Sequence, residues 1–128
     1  AGALVSTVDD LARWDAAISA GKLLSAQSWE RVFTPFRLNN GRQSRYAYGW
    51  GVLRMGPYRT FEHGGAIPGF VTHAIRVPEV DLFVAALAND DGGDQNILNL
   101  LRVLWHGRVP AMLAGRAIKA AIVAAARA

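Results

Sequence analysis

The sequence has no cysteine, which excludes disulfides, thiolate metal sites and a cysteine nucleophile while leaving the redox compartment open. It also lacks an apolar run of about eighteen residues, so no membrane span is expected. Neither an initiator methionine nor a signal peptide stands at its start, and the expectation is a cut-out whose N-terminal half would lie before Ala1. Lysine is scarce: twelve of the 14 basic residues are arginines, scattered from Arg13 to Arg127 with one loose cluster at Arg37, Arg42 and Arg45. The net charge of +4 therefore draws no basic stripe, the aromatics fall in core patterns, and nucleic-acid binding is not expected. A basic rim that attracts anionic substrates fits better. Histidine is limited to three positions without short ligand spacing, which argues against zinc. Asn89-Asp90-Asp91-Gly92-Gly93-Asp94 lacks the alternating ligands and distal glutamate of a calcium loop. No cofactor is expected. What is abundant is apolar: 52% hydrophobic residues in 128 suffice for one folded core.

The apolar residues are arranged for an α+β fold, an antiparallel sheet flanked by helices. Ser6 or Thr7 should cap a helix with Asp9 and Asp10 in its first turn, and Val8, Leu11, Trp14 and Ile18 should form its buried stripe. Ser25 should cap a second helix that buries Trp29, Val32 and Phe33 and stops before Pro35. Asn39-Asn40-Gly41 marks a loop. Tyr46, Tyr48, Trp50 and Val52 alternate with small residues and read as a strand. Strands are then expected over Tyr58 to His63, Phe70 to Val77 and Leu82 to Ala88, the last one central. The short links make these strands antiparallel. A helix from about Gln95 to Trp105 has an apolar face for the sheet. Residues 1–108 are read as one domain and residues 109–128 as an alanine-rich C-terminal helix or linker.

The densest chemistry lies in Glu62-His63-Gly64-Gly65-Ala66-Ile67-Pro68-Gly69-Phe70, an imidazole followed by glycines whose missing Cβ atoms let a substrate approach the main chain. With Ala1-Gly2-Ala3-Leu4-Val5-Ser6-Thr7, Asp10-Leu11-Ala12-Arg13-Trp14, Tyr48-Gly49-Trp50-Gly51 and Leu87-Ala88-Asn89, this stretch resembles the C-terminal half of a serine hydrolase of the beta-lactamase and penicillin-binding-protein-like family. The resemblance covers roughly residues 1 to 105. It implies a partial α/β sandwich and an acyl-enzyme mechanism, with the nucleophile in an SxxK pair and a YxN or SxN motif beside it. His63-Gly64-Gly65 matches the third family motif, a triplet led by lysine or histidine. By the same resemblance Ala66 would donate its N–H to the oxyanion hole, and Gly64, Gly65, Tyr48 and Phe70 would contact substrate.

Two departures bear on substrate. A free imidazole titrates near 6.5 and a lysine near 10.4, so a histidine-led triplet is a weaker trap for a carboxylate at neutral pH. Gly64 stands where penicillin-recognising members commonly carry threonine, which removes a hydroxyl. Both point from beta-lactam hydrolysis toward small ester, amide or peptide substrates. Ser19-Ala20-Gly21-Lys22 formally matches SxxK, but Gly21 should end the helix between serine and lysine. Its alternative role is structural. The expectation is a serine-hydrolase piece that supplies the His63 wall while the nucleophile half is absent, the compartment staying open. A non-catalytic ligand- or peptide-binding module on the same fold is the alternative.

Overall fold

The computed structural model describes residues 2–89 and 119–123. Helix α1, Val8–Ser19, starts where Thr7 Oγ1 accepts the Asp10 N–H at 3.2 Å, with Asp9 and Asp10 at the positive end of the dipole. It ends in a Schellman turn: Gly21 takes φ +64°, its N–H reaches the Ile18 carbonyl at 2.9 Å, and the Lys22 N–H reaches Ala17 at 3.1 Å. Helix α2, Ala26–Phe33, is capped by Ser25, whose hydroxyl accepts the Ser28 N–H at 3.2 Å.

Five strands form one sheet in the order β1-β2-β3-β4-β5: Gly51–Met55, Tyr58–Ile67, Phe70–Val77, Leu82–Ala88 and Lys119–Val123. The first four are antiparallel neighbours, as their short links require. Gly56 (φ +60°) and Gly69 (φ +80°) turn the chain between β1, β2 and β3, and a 3₁₀ turn at Pro78–Val80 joins β3 to β4. The α+β class, with an antiparallel sheet and flanking helices, is the architecture seen.

The alternation of side chains sorts the sheet into two faces. On one, Val71, Ile75, Val77, Val84, Ala86 and Ala88 form a buried apolar cluster joined by Met55, Tyr58, Val80 and Leu82. On the other, Phe61, Arg76 and Phe83 meet the helices. Phe33 of α2 lies 4.4 Å from the Phe61 ring and 5.7 Å from the Trp50 ring. Helix α1 packs on β4 and β5 and is tied to β3 by Asp15, whose Oδ1 accepts from Arg76 Nε at 2.8 Å.

Four local expectations are corrected. The alternation from Tyr46 to Trp50 is a turn, not a strand: Gly49 adopts φ +77°, and the Ala47 N–H bonds the Trp50 carbonyl at 2.8 Å, so β1 begins only at Gly51. The glycines after His63 lie inside β2, which runs on to Ile67. On α1 the buried position next to Ile18 is Asp15, while Trp14 is 48% exposed. Lys119–Val123, placed in a helix or linker by its alanines, is instead a strand parallel to β4. There it pairs with the backbone groups along the edge of β4 that β3 does not cover. The expected helix from Gln95 to Trp105, His106, and the rest of the 109–128 segment lie outside the described residues.

Candidate active site

Strand β2 has 10 residues and its neighbour β1 has 5. Their pairing ends at Gly51↔Glu62, whereas β3 pairs β2 through to Ile67↔Phe70. Among the described residues, the β1-side edge of His63 to Ile67 therefore has no strand beside it. Antiparallel pairs alternate between hydrogen-bonded and non-bonded, and a two-residue hairpin begins with a bonded pair. Counting from Ile67↔Phe70, the backbone groups of Gly65 and His63 face β3, and those of Gly64 and Ala66 face the open edge. Counting from Met55↔Tyr58 along the other hairpin gives the same phase, since Glu62 then faces β1.

His63 is exposed on the helix-bearing face of β2, and its Nε2 lies 2.8 Å from the Tyr46 hydroxyl. Tyr46 reaches it because the turn that follows is anchored. Ala47 is buried, the Tyr48 N–H bonds the Val32 carbonyl of α2 at 3.2 Å, and the Tyr46 N–H bonds Ser44 Oγ at 2.9 Å. Below His63 lies a cavity of about 210 Å³ whose walls include Leu11, Trp14, Trp50, Thr72 and Leu87.

The opposite face carries a second imidazole. His73, paired with Gly64 across β2 and β3, lies over that glycine, with Nε2 3.7 Å from Glu62 Oε2. A Cβ on Gly64 would sit 2.7 Å from His73 Nδ1 and 3.3 Å from the Thr72 carbonyl oxygen. Gly64 is thus the space that His73 occupies. Gly64→Thr is expected to swing His73 off Glu62 and cost about 1–3 kcal/mol as an overpacked site, and His73→Ala in the same chain should restore most of it. Urea midpoints of the two variants check this.

A family model described as Beta-lactamase matches residues 1–104. The chain belongs to the beta-lactamase family. Penicillin-binding protein 4* of Bacillus subtilis (strain 168) is 40% identical over 107 residues, which is 82% of this chain and 24% of that relative. The chain spans about a quarter of the length of this curated relative. Among the described residues, no helix is long and apolar enough to cross a membrane, and no group of three or more His, Cys, Asp or Glu residues could hold a metal ion.

In this beta-lactamase family chain, the residues singled out from sequence fall into two groups. His63, Gly64, Gly65 and Ala66 are consecutive on the partly uncovered strand. Tyr48 and Phe70 lie on other elements: Tyr48 is 68% exposed within the anchored turn, and Phe70 is 54% exposed at the start of β3, paired with Ile67. The partner that sequence reasoning missed is Tyr46, which it assigned to a strand; the bulky residue before a Gly49 turn was the available signal.

The chain's five serines all have local or structural hydrogen bonds. Ser6 donates to the Thr7 carbonyl, Ser25 and Ser28 bond each other at the α2 cap, and Ser44 accepts from Tyr46. Ser19, the last residue of α1, accepts from Arg76 Nη2 at 2.9 Å, and Gly21 separates it from Lys22. The formal SxxK spacing at Ser19 is thus interrupted by a helix end, and the Ser19 hydroxyl serves the Arg76 network.

Proposed function

We propose that this chain is the part of a serine hydrolase that forms one wall of its acyl-transfer cleft, and that the nucleophile is carried by residues preceding it. The observation that carries this reading is the open edge of β2, where the Gly64 and Ala66 N–H groups face outward beside an exposed His63. A small ester, amide or peptide would lie along that edge as an added strand. Its carbonyl oxygen would accept from Ala66 N–H, one of the two donors an oxyanion needs. The serine Oγ would bond the carbonyl carbon and lose its proton to a base of its own segment. The leaving group would depart protonated, and water would later release the acyl group. His63 would donate a hydrogen bond to the substrate as negative charge develops. The engagement of all five serines elsewhere supports an external nucleophile.

Fluorophosphonate labelling with intact-mass readout and peptide mapping tests the assignment. The 128-residue chain is expected to stay unmodified. The longer protein is expected to take one adduct on a serine preceding residue 1, at a rate lowered about 10²-fold in His63→Ala. An adduct on Ser19 overturns the reading. So does a longer protein that takes none, an outcome that favours a ligand- or peptide-binding module.

A further inference from the structure

We infer that Tyr46 is a positioning residue that fixes the tautomer of His63, donating its hydroxyl proton to Nε2 so that the only proton the neutral imidazole can offer a ligand is the one on Nδ1. The contact itself permits either direction, since an imidazole nitrogen is a donor or an acceptor according to tautomer. The chemistry of the two groups chooses between them. A phenol delocalises its oxygen lone pair into the ring, which makes the O–H acidic and the oxygen a poor acceptor. A pyridine-type imidazole nitrogen is a strong acceptor with its lone pair in the ring plane. Phenol as donor and imidazole as acceptor pairs the better half of each.

The surroundings hold the phenol in place for this role. Three backbone anchors fix the turn: Tyr46 N–H to Ser44 Oγ, Ala47 N–H to the Trp50 carbonyl, and Tyr48 N–H to the Val32 carbonyl, at 2.9, 2.8 and 3.2 Å. Tyr46 also forms an isolated bridge to Gly51, the first residue of β1. The phenol therefore reaches His63 from main chain that is fixed on both sides of it. The two rings are inclined at 60° with centroids 6.1 Å apart, which is edge contact through the hydrogen bond and not stacking. A free imidazole in water places its proton mainly on the outer nitrogen, Nε2, so the Tyr46 contact reverses the default. The consequence for catalysis rests on the reading of His63 as the wall residue of the cleft: the proton donor to substrate is then Nδ1–H.

Nitrogen-15 chemical shifts of the histidine rings, recorded on the labelled 128-residue chain at a pH of about 8.5, two units above the free imidazole value, test the tautomer without any activity. The expected spectrum gives His63 a pyrrole-type Nδ1 and a pyridine-type Nε2. In Tyr46→Phe the assignment is expected to reverse, and in Tyr48→Phe to stay as in the wild type. A wild-type His63 with a pyrrole-type Nε2 overturns the inference, and this outcome needs no variant to fold. So does a Tyr46→Phe spectrum identical to the wild type. In the longer protein, Tyr46→Phe should slow fluorophosphonate labelling, with no further loss when added to His63→Ala. Additive losses would overturn a role exerted through His63. Because the tautomer is read directly from the chain, its failure is distinguishable from failure of the hydrolase assignment.

Discussion

Asp15→Ala is expected to lower the unfolding free energy by about 3–5 kcal/mol, the range for a buried ion pair that loses one partner. Asp15 and Arg76 are 3% and 5% exposed, and the pair joins α1 to β3 across 61 residues of sequence. Removing the carboxylate leaves the guanidinium buried with Ser19 Oγ and the Phe33 ring, 5.3 Å away, as its remaining partners among the described residues. Neither neutralises its charge. Replacing both partners, as in Asp15→Leu with Arg76→Met, removes the orphaned charge as well, and should recover most of the loss. Arg13 and Asp10 provide the internal comparison, an ion pair with side chains 76% and 56% exposed, for which Arg13→Ala should cost less than about 1 kcal/mol. Urea unfolding followed by circular dichroism measures all three. A loss in Asp15→Ala as small as that in Arg13→Ala would sink the argument.

The same pair shows where the sequence stops being readable. Both helix starts could be read because caps are local: Thr7 and Ser25 bond N–H groups three residues ahead. The strands Phe70–Val77 and Leu82–Ala88 were equally local, set by runs of apolar residues between turns. Asp15 was not, since its periodic position is that of a polar flank and the arginine that makes it buriable lies on another element. Tyr46 and His63 were separated by 17 residues in the same way, and only the Gly49 turn brings them together. The alternation of large and small residues from Tyr46 onward has the period of a strand and arises here from a buried Ala47 and a left-handed Gly49. In the tail, alanine's helix propensity is outweighed in Lys119–Val123 by the pairing that the edge of β4 offers. The His63-Gly64-Gly65-Ala66 stretch was legible as chemistry, but which of its N–H groups face outward depends on the register with β1 and β3.

That register sets the second large effect, on activity. On the proposed reading of this chain as one wall of a serine hydrolase cleft, Ala66→Pro is expected to slow acylation of the longer protein by about 10²–10³-fold, the usual loss for one oxyanion donor, while leaving the sheet nearly intact. Proline removes the N–H and fixes φ near about −65°, and at Ala66 the lost N–H faces the edge β1 does not cover, the position where strands tolerate proline. Gly65→Pro, one residue earlier, removes an N–H that faces Thr72 on β3, so it should destabilise the sheet as well as impair the site. The discriminating pattern is a slow but folded Ala66→Pro against an unstable Gly65→Pro, read by fluorophosphonate labelling rates and urea midpoints on the same preparations. Normal labelling in a folded Ala66→Pro would remove Ala66 from the oxyanion hole. Equal destabilisation by the two prolines would mean that the Ala66 N–H is bonded in the fold and never available to substrate.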